Sequence, residues 1–94
     1  MFVLIAYDVA TINKAGTRRL RRVARACKDY GQRVQNSVFE CHVDDRQWVL
    51  LRHRLLTEIK RDEDSLRFYF MDNDTQIEHH GIGQPIDLDA PIIF

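Results

Sequence analysis

The order of apolar and polar stretches predicts an α+β fold of the pattern β-α-β-β-α-β. This is a four-stranded antiparallel sheet with both helices on one face, carrying an extra strand at the C-terminal end. Three observations carry the prediction. Phe2 to Tyr7 is an unbroken apolar run with β-branched and aromatic members, too short for a buried helix. Two stretches, Lys14 to Tyr30 and Arg46 to about Arg61, repeat apolar residues at spacings of three and four. Ser65 to Met71 alternates strictly, with Leu66, Phe68 and Phe70 on one side and Arg67, Tyr69 and Met71 on the other.

The first strand ends on a carboxylate, Asp8, which it delivers into the loop before a helix. Such a placement gives an acid a fixed backbone and open access; the alternative is an acid that only ends the strand. Val9 to Asn13 is a connector, with Thr11 and Asn13 as caps for the helix that follows. On that helix Leu20, Val23, Ala24, Cys27 and Tyr30 share one face, and Gly31 stops it. The other face carries Lys14, Arg18, Arg19, Arg21, Arg22, Arg25 and Lys28, with no acid between Asp8 and Asp29. A solvated helix usually mixes signs to gain i,i+4 pairs, and Arg18 and Arg19 lie too early to suit the helix dipole. An anion-binding helix is therefore expected, against the plain alternative of a charged solvent face.

Arg33 to Val43 is extended, with Gln35-Asn36-Ser37 as a tight turn between two short strands. Asp44 and Asp45 cap the second helix, whose stripe is Trp48, Leu51, Leu55 and Ile59. Trp48 lies on that stripe and reads as core, not as a base-stacking platform. Arg61 to Asp64 reads as a polar loop. Gln76 to Gly83 is weakly patterned, with His79 and His80 on a solvated loop. The tail Ile86 to Phe94 ends in three apolar residues, so it is expected to dock on a partner as an edge strand. The uncovered sheet face is expected to carry Tyr7, Tyr69 or their alternates, and a homodimer would hide it.

A length of 94 residues makes one domain, 1–94, because two cores of half that size would not be stable. Fourteen basic and fourteen acidic residues cancel, so any case for nucleic acid rests on where charges sit. Cys27 and Cys41 have no metal or redox spacing and read as small core residues in a reducing, cytoplasmic setting. The spacing of His42, His53, His79 and His80 fits no zinc pattern, and no Gly-rich phosphate loop is present. No apolar run approaches the roughly 20 residues that span a bilayer, so no membrane is expected. Asp8 alone cannot hold a hard cation. Two copies across a dimer axis would bring two carboxylates to one Mg²⁺ or Mn²⁺, which suits phosphodiester cleavage.

A strand ending in Tyr7-Asp8, a basic helix with Arg18 and Arg22, and the run from Gly31 to Glu40 containing Gln35-x-Ser37-Val38-Phe39-Glu40 together resemble the second of the two core CRISPR-associated adaptation proteins. The resemblance extends through Asp64 to Tyr69 and covers positions 1 to 71; the tail is the variable part. It implies a ferredoxin-like fold, a homodimer with facing sheets, and residues 76–94 used for dimer or partner contacts. It also implies a divalent metal at Asp8 from both subunits, acting as an endonuclease on single-stranded RNA or double-stranded DNA, and a partnership with the adaptation integrase in spacer acquisition. On this reading Asp8 is the catalytic metal ligand, and Arg18, Arg19 and Arg22 contact phosphates. Ser37 and Phe39 shape the groove near the metal. The alternative is a non-catalytic dimeric scaffold that holds duplex DNA.

Overall fold

The computed structural model describes residues 1–72 and 76–83. Its elements are β1 (Phe2–Asp8), α1 (Lys14–Tyr30), β2 (Gly31–Gln35), β3 (Val38–His42), α2 (Asp45–Glu58), β4 (Ser65–Phe70) and β5 (Gln76–Gly81). One antiparallel sheet of order β2-β3-β1-β4-β5 places β1 in the middle. The β-α-β-β-α-β core is as expected. The weakly patterned segment after it is a fifth strand, hydrogen-bonded to its own β4, and residues 84–94 of the expected docking tail lie outside the described residues.

Register decides which side chains share a face. Val3, Ile5 and Tyr7 sit opposite Cys41, Phe39, Phe70, Phe68 and Leu66 on the face that the helices cover. Val23, Ala26 and Cys27 of α1 and Trp48, Leu51 and Leu55 of α2 complete one core with them. Trp48 packs edge-on against Phe68 and Phe70, with ring centres 4.8 and 5.4 Å away. Tyr7 is thus a core residue and leaves the open face to Tyr69 and to its own alternates, one of the choices the sequence left open. Its alternates Phe2, Leu4, Ala6 and Asp8 face the other way, beside Tyr69, Arg67 and Ser65.

The caps explain the helix boundaries. The Asn13 carboxamide oxygen accepts the Gly16 N–H at 2.8 Å, and Asp44 and Gln47 form a reciprocal capping box. Helix α1 runs into β2 at Gly31, whose N–H still bonds the Cys27 carbonyl from extended backbone. Helix α2 stops at Glu58, short of Arg61, because the Asp64 carboxylate takes the Lys60 N–H at 2.8 Å in place of a helical carbonyl.

Gly16 sits where α1 crosses the β1–α1 loop so closely that a Cβ would overlap the Ala10 carbonyl oxygen. Gly16→Ala gains about 1 kcal/mol of helix propensity but forces backbone apart at a cost of about 1–3 kcal/mol. The expected result is a net loss of stability, read as a lower urea midpoint at unchanged slope. A raised midpoint would show that the packing there is slack.

Candidate active site at the end of the central strand

Asp8 is exposed at the carboxyl end of β1, opposite Ser65 of β4. The chain on both sides of it is tied down. The Tyr7 N–H donates to the Ser37 carbonyl at 3.1 Å, and the Tyr7 hydroxyl reaches the Asn36 carbonyl at 3.4 Å. Burial, with Cys27 nearby, pushes the Tyr7 hydroxyl up, so it stays a donor to Asn36. On the other side the Ala10 N–H donates to the Asp64 carboxylate at 3.1 Å. The chain just before the acid is therefore held by the β2–β3 turn, and the chain just after it by Asp64. The carboxylate itself remains accessible, which is the geometry a metal or water ligand needs.

A cavity of about 670 Å³ opens at this point. Asp8, Thr11, Asn36, Ser37, Ser65, Arg67 and Tyr69 supply its polar lining, over Ala6, Val9, Leu20 and Val38. Asp8 and Ser37, expected from the resemblance to lie near one metal, both line it. Phe39 does not: it is fully buried, stacked near Tyr7 with ring centres 6.2 Å apart, and belongs to the core. Arg33 lies over its ring, with the guanidinium 5.1 Å from the ring centre.

Arg19 also leaves the expected set. Its Nε donates to Asp64 at 2.9 Å and its Nη2 to Glu63 at 2.9 Å, and only 14% of its side chain is exposed. Asp64 is fully buried. It accepts from Arg19, Lys60 and Ala10, so it joins α1, the end of α2 and the loop after Asp8. Burial pushes its pKa up, but Arg19 and the Lys60 and Ala10 amides outweigh that and hold the carboxyl below its usual range. This is a buried anchor that the polar spelling Arg61-Asp62-Glu63-Asp64 concealed. The only hint in sequence was a surplus of cations on α1 lacking a local acid.

The remaining cations of α1 divide by helical phase. Arg22 pairs with Glu58 at 3.8 Å, though 64% of its side chain stays exposed. Lys14, Arg18, Arg21, Arg25 and Lys28 fall on one exposed stripe. None of the five has an ion pair among the described residues. At 1.5 Å per residue the ridge is roughly 21 Å long. One of its members, Lys14, sits in the first turn of the helix, where a cation is unfavourable by about 0.3–1 kcal/mol. A negatively charged partner would reverse that cost.

His79 and His80 are in β5 and not on a loop. His80 contacts the Glu78 carboxylate that Arg52 also holds, and His79 Nε2 lies 2.8 Å from the Ile82 carbonyl. Among the described residues no three His, Cys, Asp or Glu side chains cluster as metal ligands. No helix among them is long and apolar enough to cross a membrane. Cys27 and Cys41 are buried free thiols, and burial pushes Cys41 up to about 11.

Residues 1–78 match the family described as CRISPR associated protein Cas2. Over the whole length of both chains, 55% of positions are identical to the CRISPR-associated endoribonuclease Cas2 of Chlorobaculum tepidum. The CRISPR-associated endonuclease Cas2 of Halalkalibacterium halodurans is 53% identical, again with both chains fully covered. The crystal structure of Streptococcus pyogenes Cas2 at pH 6.5 superposes with a TM-score of 0.71 at 54% identity, over 77% of this chain and 87% of that one.

Proposed function

The chain belongs to the CRISPR-associated protein Cas2 family, and from that premise we propose that it is a metal-dependent endonuclease acting in spacer acquisition. It works in the cytoplasm as a homodimer beside the adaptation integrase. Its substrate is single-stranded RNA or double-stranded DNA. The observation that carries this reading is the accessible Asp8 carboxylate, on a chain held at Tyr7 and Ala10, lining a cavity with Ser37, Ser65 and Arg67. Relatives identical at half or more of their positions are named as endoribonucleases or endonucleases, which supports the activity.

One protomer offers one carboxylate, and among its described residues no further acid or histidine pair joins it. A hard cation asks for more oxygens than that, so the fit requires Asp8 from a second copy, across the open sheet faces. Mg²⁺ or Mn²⁺ held by the two would orient a water and offset charge developing on the phosphate. The protein's own part is to fix Asp8, to offer the Ser37 and Ser65 hydroxyls, and to hold the nucleic-acid backbone. The stripe Lys14, Arg18, Arg21, Arg25 and Lys28 does the last of these, with Arg22 at its margin; Arg19 has no part in it. Asp8→Ala tested beside the wild type on both substrates, with Mg²⁺, Mn²⁺ or EDTA, decides the matter. Equal cutting by both would sink the catalytic role.

The ridge by itself favours a second reading, a dimeric scaffold that holds duplex DNA without cutting it. Either way Arg18→Ala/Arg21→Ala should weaken duplex binding and lower the slope of log affinity against log salt by about 0.9 for each phosphate no longer neutralised. An unchanged slope in a filter-binding or anisotropy titration would place the nucleic acid elsewhere.

A further inference from the structure

A metal ligand and a remote ridge leave one element missing from a phosphodiester site: a side-chain cation at the reacting phosphate, beside the metal. None of the ridge residues lines the cavity at Asp8. Among the described residues around it, the one cation is Arg67. We propose that Arg67 grips the phosphate on which Asp8 acts. The inference rests on the nuclease reading and names the residue that reading lacks.

The register places it there. Asp8 pairs with Ser65 and Ala6 with Arg67, so Arg67 is the diagonal neighbour of Asp8 on the same open face. Such neighbours are about 7–8 Å apart, within reach of long side chains, so both residues can address one phosphate. The strand fixes the stem of Arg67 as it fixes Asp8, so neither depends on a loop for its position. Its Nη2 lies toward Gly83, 3.2 Å from where a Cβ there would stand, so a side chain at that position would crowd it. A guanidinium has five N–H donors in a planar fork, so it can keep protein contacts and still take two phosphate oxygens. In the cut, a water oxygen bonds to phosphorus, one P–O ester bond breaks, the water's proton passes to solvent, and the departing oxygen takes a proton from solvent. Arg67 holds the two non-bridging oxygens throughout and stabilises their growing charge.

The proposal is tested with Arg67→Ala and Arg67→Lys, checked for folding by thermal melting. Arg67→Ala should lower kcat about 100-fold and raise KM about tenfold, whereas Arg18→Ala should raise KM and spare kcat. Arg67→Lys, which keeps charge but loses the fork, should fall between. A methylphosphonate at the cut site removes the phosphate charge and should slow the wild type, while adding little to the defect of Arg67→Ala. A folded Arg67→Ala that cuts within about threefold of the wild type, or fully additive losses with the neutral phosphate, would overturn the assignment. If the wild type cuts neither substrate, the nuclease reading has failed and binding decides. About tenfold weaker binding of the same oligonucleotide by Arg67→Ala then keeps Arg67 at the phosphate, and unchanged binding removes it.

Discussion

Asp8→Ala should lower metal-dependent cutting by about three orders of magnitude or more while leaving the melting temperature and the oligomeric state unchanged. The separation of the two effects follows from the environment of the residue. Asp8 is exposed and holds no ion pair among the described residues, so its removal should stay within about 0.5 kcal/mol in stability. The clamps at Tyr7 and Ala10 use main-chain and neighbouring groups, so they survive the substitution. EDTA should reproduce the loss in the wild type. A variant that stays folded and cuts at the wild-type rate would show that Asp8 only ends a strand.

Asp64→Asn should cost about 3–5 kcal/mol, because it breaks a buried pair and leaves the largely covered Arg19 guanidinium with Glu63 alone. In a domain of this size that is a large part of the total, which is of order 5–15 kcal/mol. The effect depends on pH in a defined direction. The folded carboxyl lies below its unfolded value, so its contribution is present above about pH 4 and is lost as pH falls through the folded value. Urea unfolding of the wild type should therefore weaken on acidification, and Asp64→Asn should flatten that acid limb. A variant within about 1 kcal/mol of the wild type at pH 7 would mean that Asp64 is not an anchor. Because the same carboxylate holds the Ala10 N–H, the variant should also cut more slowly than its stability alone implies.

The alternation from Leu66 to Phe70, the stripe from Trp48 to Leu55 and the apolar run from Val3 to Tyr7 each announce one buried face, and the core is built from them. Local chemistry likewise announces Asn13 and Asp44 as caps. These features were legible because burial and capping act over a few residues, with periods that the chain itself displays. Asp8 was legible for the same reason, as the polar end of an apolar strand. Register was not. Whether Tyr7 or Ala6 faces the helices depends on partners more than 30 positions away. A shift of one residue would exchange the two faces.

The charges divide in the same manner. Seven cations along α1 look alike in sequence, yet Arg19 is drawn into the interior by Asp64, Arg22 leans on Glu58, and five remain on an outward stripe. Asp64 itself reads as a solvated acid beside Asp62 and Glu63. What the amino-acid sequence determined on its own is the six elements of the β-α-β-β-α-β core, their order and the acid at the end of the central strand. Those follow from periodicity and local hydrogen bonding. Only the tertiary structure decided which ionic groups are anchors and which stay on the exposed stripe. That depends on which carboxylate a guanidinium reaches 45 positions along the chain, and on the burial that strengthens the pair once they meet.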